Sequence, residues 1–281
     1  MLRTKKKNRR DNTTTIATWN LNGRLKEPIR QEELFADMRG KRVDIAALQE
    51  TMWNQDATIT SKEGAVIINF KINAEGYRGL AYYLSPQWAS RLKSTRVVNN
   101  RTVVARFKAF NSEKADLAVI NTYGPTMMRT RENPEFTEEY YQHLSNTYNQ
   151  EKKGMVSTII LGDLNSKIGK QQPDDIAYMG QYGKGARNEN GDMLRSFLQE
   201  NGLYLVNTHF KHRDRNIATW HKERIHNQID YIVVPRYMIG MFTNAKSTTT
   251  MRYRTDHSLV IGKIMFNARY KMSKLDKVKS R

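Results

Sequence analysis

The chain has 281 residues, 38% of them hydrophobic, which suffices for the core of one sizeable domain or two small ones. No apolar run is long enough to cross a bilayer, and the lysine-rich first residues do not resemble a secretory signal. The absence of cysteine excludes disulfides and thiolate metal sites. Lysine and arginine total 47 against 28 acidic residues, a formal charge of +19 that favours nucleic acid as a partner, although a soluble protein that merely carries many lysines has the same composition. We therefore expect an intracellular protein without a membrane partner.

Both ends of the chain are basic and poor in apolar side chains. Residues 1–12 and 267–281 cannot bury a core, so we expect disordered basic tails on either side of one domain over residues 13–266. A basic cluster of this kind is a nuclear localisation signal, a phosphate-binding arm or a solvated chain end, and the sequence does not decide among these three alternatives. The first of these predicts a nuclear protein.

Short apolar runs rich in β-branched residues occur throughout the domain. Several of them are apolar at consecutive positions, which predicts strands that are buried on both faces. In chain order, the ten predicted strands are 15–19, 43–48, 65–70, 79–84, 102–109, 117–122, 156–161, 203–206, 229–234 and 258–265.

Three segments predict helices, near 28–39, 135–149 and 191–201, the last with its apolar side chains on one stripe and Gly202 as a C-terminal stop. The stretch 166–190 is polar and contains several glycines, so we expect a long surface loop there. Many strands with helices between them and no regular repeat predict an α+β domain in which helices cover the sheets.

Polar residues are concentrated where the apolar strands end. Strand ends that open onto loops are where a rigid scaffold presents functional side chains. A single carboxylate in such a place is more often a helix cap or a turn residue, but several acids beside a histidine are harder to explain as turns. The side chains concerned are Asn20, Glu50, Asp163, Asn165, Asp230, Asp256 and His257.

These residue types suit the hydrolysis of a phosphodiester. That reaction needs charge neutralised on the phosphate, an activated water and a stabilised leaving oxygen. Acids can hold a hard cation, an aspartate or histidine can transfer protons, and an asparagine can bind the phosphate. Because the chain has no cysteine, oxygen or imidazole would hold any metal, and carboxylates suit Mg²⁺ or Mn²⁺.

Seven short blocks follow one another along the domain: ATWNLNG (17–23), DIAALQET (44–51), NTYGP (121–125), ILGDLNSKIG (160–169), ATW (218–220), QIDYI (228–232) and TDHSLV (255–260). Each block is weak alone, but the ordered set resembles the endonuclease/exonuclease/phosphatase superfamily over roughly 16–264. The resemblance implies the DNase I-like fold, a four-layered α/β/β/α sandwich of two mixed sheets packed face to face with helices outside.

The resemblance implies a metal site and a water-activating site. Glu50 would be the main ligand of Mg²⁺, for which Mn²⁺ can substitute, helped by Asn20 and by Asp256 near the same cation. Asp163 would orient or deprotonate the attacking water, and Asn165 beside it would bind the scissile phosphate. For Asn20 the plain alternative is a residue that caps a turn.

The resemblance also implies contacts to the phosphate and to DNA. His257 would stabilise the developing charge, and Asp230 would hydrogen-bond its imidazole and fix its orientation. Tyr123 would lie against the phosphate or the leaving group, and Thr219 would contact the DNA backbone. The alternatives are a half-buried core aromatic for Tyr123 and an ordinary strand residue for Thr219.

Within the superfamily, residues 188–234 are most similar to the endonuclease domains of non-LTR (LINE-type) retrotransposons, because an NGxxLxxF helix, a GLxxxNT strand, TW and QIDYI follow one another there. Those enzymes nick double-stranded DNA and free a 3′-hydroxyl that primes reverse transcription. The resemblance implies double-stranded DNA as partner and also a reverse-transcriptase domain, which does not follow residue 264. We expect a monomer, as an isolated domain, a processed fragment or a domesticated relative.

Other branches of the superfamily stay open. In abasic-site endonucleases a lysine usually follows the LQET block, whereas Met52 and Trp53 follow it here. This difference makes a DNA-repair function a weaker prediction. An RNA nuclease or an inositol or lipid phosphatase would share the same core residues, although the charge of +19 favours nucleic acid. An inert nucleic-acid-binding relative would lack Glu50, Asp163 or His257, and all three are present.

Basic residues between the blocks predict a DNA-binding rim around the site. Arg129 follows NTYGP, Lys167 follows GDLN, and Arg213 and Arg215 lie in a stretch that we expect to form a hairpin loop entering a groove of DNA. For each of them, solvated loop charge is the alternative.

Four histidines, His209, His212, His221 and His226, lie around the TW block. Their spacing in sequence matches no zinc-binding pattern. We therefore expect them to be surface or DNA-facing residues.

Overall fold

The computed structural model of the chain describes residues 13–72, 79–108, 116–153 and 157–266. The predicted basic tails, 1–12 and 267–281, lie outside the described residues. Within the described ranges, no helix is both long and apolar enough to cross a membrane.

All ten predicted strands and all three predicted helices are present. The strands are β1 (Thr13–Asn20), β2 (Ile45–Gln49), β3 (Ala57–Thr60), β4 (Val66–Phe70), β5 (Leu80–Leu84), β6 (Leu92–Asn99), β7 (Thr102–Lys108), β8 (Asp116–Tyr123), β9 (Ser157–Asp163), β10 (Leu203–Leu205), β11 (Trp220–Lys222), β12 (Ile225–Asn227), β13 (Asp230–Pro235), β14 (Phe242–Thr248) and β15 (Leu259–Met265). The helices are α1 (Pro28–Gly40), α2 (Pro86–Ala89), α3 (Met127–Glu132), α4 (Pro134–Lys152) and α5 (Glu189–Asn201).

Most strands belong to two mixed sheets. Sheet A has the order β14-β15-β1-β2-β5-β4-β3, in which β1 and β2 are parallel and the other neighbours antiparallel. Sheet B has the order β10-β13-β9-β8-β7-β6, in which only β8 and β9 are parallel. β11 and β12 form a separate hairpin.

The side chains of each central strand alternate between the two faces of its sheet. In β1, Ile16 packs into the core between the sheets, whereas Ala17 packs on the other face with Leu34 of α1. The outer face of sheet B is covered by α4 and α5, which contribute Tyr141 and Phe197 to a second core. The order of layers is therefore helix, sheet, sheet, helix, which confirms the predicted α/β/β/α sandwich.

The segment 166–190 is a loop, as predicted, with one short 3₁₀ turn, Pro173–Asp175, but part of it is buried. Tyr178 and Met179 are buried in the core on the outer face of sheet B. Asp175 is fully buried and accepts a hydrogen bond from the guanidinium of Arg187 within the same segment. The loop is only partly exposed because some of its polar residues pair with each other instead of with water.

Candidate active site

The polar strand ends lie on the inner faces of the two sheets. Along β9, Ile159 and Leu161 point into the core between the sheets, and the next residue on that face is Asp163. β13 runs in the opposite direction, with Ile232 in the core and Asp230 at its beginning. The apolar space between the sheets therefore becomes acidic at one edge.

Strand directions bring these ends to the same edge. The parallel strands β8 and β9 end together at Tyr123 and Asp163, and β13 begins beside them at Asp230. In sheet A the parallel strands β1 and β2 end together, which places Asn20 beside Glu50. β15 is antiparallel to β1, so the TDHS block that precedes it lies at this edge too.

Asn20 connects the two sheets here. Its side-chain nitrogen donates to Glu50 Oε1 at 3.0 Å and to Asp163 Oδ2 at 2.9 Å, while its Oδ1 accepts the backbone N–H of Asn22 at 2.9 Å. The hydroxyl of Tyr123 donates to the same Glu50 oxygen at 2.6 Å. The nitrogen of Asn20 faces the acids, so Asn20 positions two carboxylates, and its role as a metal ligand stays a prediction.

His257 is held between two carboxylates. Its Nδ1 lies 3.0 Å from Asp230 Oδ2, and its Nε2 lies 3.8 Å from Asp163 Oδ2. Burial alone would lower the pKa of His257, but the charge and hydrogen bond of Asp230, with the charge of Asp163, outweigh it and raise that pKa to about 9. The ring is therefore cationic at neutral pH and donates from Nδ1 to Asp230.

Asp163 is placed among other negative charges. Burial first, and then the charge of Asp230, raise the pKa of Asp163 above its ordinary value. In the described part of the chain, Asp163, Asp230 and His257 form the group of acid and histidine side chains close enough to share an ion, with ligand atoms within 4.8 Å of one another. Glu50 and Asp256, the predicted metal ligands, are outside this triad but line the same cleft.

Asp256 is fixed by two donors that the sequence did not reveal. Its Oδ2 accepts the indole N–H of Trp220 at 2.9 Å, and its Oδ1 accepts the side-chain amide of Asn22 at 3.0 Å. Both donors belong to blocks of the sequence, ATW and ATWNLNG, but the pairing is visible only in three dimensions. Asp256 is thus a pre-oriented carboxylate on the wall of the site.

Thr219 holds the beginning of β13. It is fully buried, and its hydroxyl accepts the backbone N–H groups of Ile229 at 3.0 Å and of Asp230 at 3.1 Å. The prediction that Thr219 contacts the DNA backbone is therefore wrong for its side chain, because that side chain has no exposed surface. It positions Asp230 instead.

The loops that carry Asn165 are held by a further asparagine. Asn165 donates its backbone N–H to Asp163 Oδ1 at 2.9 Å and its side-chain amide to the Gly124 carbonyl at 3.0 Å. Asn190, which is fully buried, donates to the carbonyls of Pro125 at 2.9 Å and of Asn165 at 3.1 Å. Sequence reasoning missed Asn190, although an asparagine in the first turn of a helix beside a glycine was a signal.

A buried polar layer separates this edge from the apolar core. Thr18 donates to Gln49 Oε1 at 3.2 Å, and Gln49 donates to Asn121 Oδ1 at 2.8 Å. Asn121 then donates to the backbone carbonyls of Leu48 at 3.1 Å and Ala81 at 2.9 Å. Fully satisfied polar networks of this kind are rigid, so this layer gives the acids at the edge of the two sheets a rigid support.

The assembled side chains line an open cleft of about 450 Å³. Asp230 is not at its surface, because it is fully buried behind His257. The predicted site residues that line the cleft are Glu50, Tyr123, Asp163, Asn165, Lys167, Asp256 and His257.

The other predicted DNA-binding residues lie outside the cleft. Arg129 is exposed on α3, whose first residue Met127 lines the cleft. Arg213 and Arg215 are exposed at a short 3₁₀ turn, Asp214–Asn216, that precedes the β11–β12 hairpin. The prediction that these two arginines occupy the hairpin loop is wrong.

Comparison with known proteins gives one family. A model of the Endonuclease/Exonuclease/phosphatase family matches residues 17–245. Craniofacial development protein 2 of Bos taurus is 27% identical over 259 residues, which cover 88% of this chain and 40% of that protein. The chain thus spans less than half the length of this relative.

Solved structures of two nucleases resemble the fold. The endonuclease domain of TRAS1, a telomere-specific non-LTR retrotransposon, superposes with a TM-score of 0.61 at 15% identity, covering 90% of this chain and 99% of that one. The AP endonuclease LMAP of Leishmania major superposes with a TM-score of 0.63 at 16% identity, covering 90% and 87%. At this identity the likeness concerns the fold alone.

Proposed function

The chain belongs to the endonuclease/exonuclease/phosphatase family, and on that premise we propose that it is a Mg²⁺-dependent endonuclease that nicks double-stranded DNA and leaves a 3′-hydroxyl. The observation that carries the proposal is the cleft in which Glu50, Asp163 and His257 meet, with Asp230 behind the imidazole. All four are buried, and each is fixed by hydrogen bonds from outside its own strand.

The donor set fits a hard divalent cation. Glu50, Asp163 and Asp256 present carboxylate oxygens to one cleft, and oxygen is the ligand atom that Mg²⁺ prefers. Burial first, and then the charge of Asp230, raise the pKa of Asp163, and a cation in the cleft would offset both effects. Glu50 and Asp256 would hold the ion, with Asn20 orienting Glu50. When bound, the ion would neutralise charge on the phosphate.

Asp163 and His257 can then take two different roles, one in proton transfer and the other in stabilising charge on the phosphate. Asp163 has a raised pKa, so it is a stronger base than an ordinary carboxylate and would accept a proton from the attacking water. His257, cationic at neutral pH, would donate from Nε2 to a phosphate oxygen and stabilise its developing charge. Asp230 keeps the proton on Nδ1 and fixes the ring, and Asn165 would bind another phosphate oxygen.

Charge supports DNA over the other substrates of the family. A net charge of +19 attracts a polyanion from solution far more strongly than it attracts a small phosphoester. Lys167 lines the cleft, and Arg129 and Arg213 are exposed on neighbouring segments. Two relatives in fold are endonucleases by name, the endonuclease domain of a telomere-specific non-LTR retrotransposon and an AP endonuclease.

Nicking of supercoiled plasmid tests the proposal. The full chain in Mg²⁺ is expected to convert supercoiled plasmid to open circles, EDTA to stop it, and Asp163→Ala or His257→Ala to remove nearly all activity. His143→Asn is the matched control, since it removes an exposed histidine of α4 outside the cleft. The nicked product should prime a DNA polymerase directly, because its 3′ end is a hydroxyl.

Assays of other substrates, run beside the plasmid assay, distinguish the alternative functions. Cleavage of an abasic-site oligonucleotide with intact DNA untouched would indicate a repair enzyme, and cleavage of RNA alone an RNA nuclease. Hydrolysis of a phosphoinositide with plasmid left intact would overturn the DNA assignment. Salt-dependent DNA binding without hydrolysis of any substrate would indicate an inert relative.

A further inference from the structure

Two histidines face each other across the β11–β12 hairpin. His221 and His226 are a cross-strand pair, and their Nδ1 atoms lie 3.0 Å apart. In an antiparallel pair the side chains of opposite residues project from the same face. Two imidazole nitrogens at this distance can reach a common ion, so the pair has the geometry of two neighbouring metal ligands.

This pair is separate from the proposed phosphodiesterase site. The preceding cross-strand pair, Trp220 and Asn227, lines the cleft. Alternation along a strand turns the next pair away from it, and neither histidine lines the cleft. His226 is exposed, so an ion can approach from solvent.

His221 is already oriented as metal-binding histidines are. Its Nε2 lies 2.7 Å from the hydroxyl oxygen of Ser258, which leaves Nδ1 to face His226. In proteins, a histidine that binds a metal with one nitrogen commonly hydrogen-bonds with the other, which fixes the tautomer and the ring. Ser258 gives His221 that second contact.

We propose that His221 and His226 bind one divalent transition-metal ion of the zinc class, with water or an external ligand completing its coordination. Imidazole suits Zn²⁺, Ni²⁺ and Cu²⁺ and disfavours Mg²⁺, so this site and the carboxylate cleft select different ions. The sequence spacing gives no zinc pattern, because the two ligands meet through strand pairing across a two-residue turn.

The ion would bind on a strand that is hydrogen-bonded to the catalytic segment. The backbone N–H of His221 donates to the Asp256 carbonyl at 2.9 Å, and that of Ser258 donates to the Thr219 carbonyl at 2.7 Å. The hairpin is thereby joined to the segment that carries Asp256 and His257. Closing the hairpin with an ion should stabilise this side of the domain, because a ligand that binds only the folded state raises its stability.

Calorimetric titration with Zn²⁺ of the full chain, in excess Mg²⁺, tests the proposal. Wild type and His143→Asn, which removes an exposed histidine on α4, should bind Zn²⁺ with equal affinity. His226→Asn should bind at least about tenfold more weakly, because one of two ligands is lost. His226 is exposed, so the variant should fold, and circular dichroism verifies this.

Thermal unfolding gives a second measurement. Zn²⁺ should raise the Tm of wild type and of His143→Asn, and raise that of His226→Asn less at the same concentration. The proposal is overturned if wild type binds no Zn²⁺ or if His226→Asn binds it as wild type does. Zn²⁺ binding that persists in His226→Asn and disappears in His257→Asn would overturn it too, because the ion would then occupy the catalytic cleft.

Discussion

Asp163 and Asp230 lie directly opposite each other in the antiparallel ladder of β9 and β13. Both are buried, at 1% and 0% exposure, and both project to the inner face of the sheet. Two carboxylates in register would repel each other, but they differ in their partners. Asp230 is neutralised by the imidazolium of His257, whereas Asp163 has a raised pKa. One acid therefore orients the histidine, and the other is left as a base.

Replacing Asp230 with asparagine removes the charge and keeps the size. We expect Asp230→Asn to lower the pKa of His257 from about 9, because its strongest favourable partner is lost while burial still disfavours the cation. Nicking should slow by about 100-fold or more, since an imidazole with the wrong tautomer is a poor catalyst. Imidazole NMR titration in EDTA measures the first effect, and single-turnover nicking the second. An unchanged pKa of His257 would contradict this assignment.

The corrected role of Thr219 is also testable. Thr219→Val removes the hydroxyl that accepts two backbone N–H groups and keeps the shape, so we expect a loss of about 1–3 kcal/mol in the free energy of unfolding. Thr219→Ser should recover most of it. Urea denaturation measures both. A valine variant of wild-type stability with weaker DNA binding would instead support the original prediction of a DNA contact.

The apolar pattern of the sequence predicted the central strands of both sheets and missed most of the edge strands. The ten strands found from sequence include all the central strands of both sheets, because strands buried on both faces are apolar at consecutive positions. Three of the missed strands, β3, β6 and β14, are edge strands. In β3 the residues alternate between half-buried and exposed positions, and its sequence ATIT has no apolar run. A strand that is paired to a single neighbour and half exposed, as β3 is, leaves a weaker apolar pattern than a central strand.

At the site, motifs predicted which residues meet but not how they are oriented. Glu50, Asp163 and His257 were recognisable because their chemistry requires those residue types. The amide direction of Asn20 and the burial of Thr219 depend on neighbours that are distant in sequence: Asn20 is 143 residues from Asp163. No local pattern encodes such contacts, which follow from the packing of the two sheets.

A buried carboxylate on α4 makes the stability depend on pH. Glu151 is 1% exposed and accepts from Arg96 at 2.9 Å and from Arg106 at 2.7 Å. Burial alone would raise the pKa of Glu151, but these hydrogen bonds outweigh it and lower that pKa below 4.5. The pKa is lower in the folded state than in the unfolded state, so the stabilisation is present above 4.5 and is lost as pH falls through the folded pKa.

Glu151→Gln should therefore be less stable than wild type at pH 7, by about 1–3 kcal/mol, because a charged partner of two guanidinium groups is lost. The difference should shrink as pH falls below 4.5, where wild type also becomes protonated. Urea denaturation at several pH values measures it. Glu63→Gln, which breaks an exposed pair with Arg39, is the control and should change stability little. A difference that stays constant with pH would contradict the ion-pair explanation.

The salt dependence of DNA binding tests whether the exposed arginines before the β11–β12 hairpin contact phosphate groups. We expect the double variant Arg213→Ala/Arg215→Ala to weaken binding to duplex DNA and to reduce the slope of log K against log salt by about 2, since each phosphate contact contributes about 0.9. Binding is measured in Ca²⁺ to limit cleavage.

Lys62 provides a control for the loss of one positive charge elsewhere on the surface. It is exposed in the turn between β3 and β4, at the end of sheet A opposite to Glu50, because Val66 pairs with Leu84 and Leu84 pairs with Ile45, at the start of β2. Lys62→Ala lowers the net charge but should leave the slope unchanged, since it removes no phosphate contact. If the double variant keeps the same slope as Lys62→Ala, the arginines act only through the long-range field of the protein and do not contact the DNA.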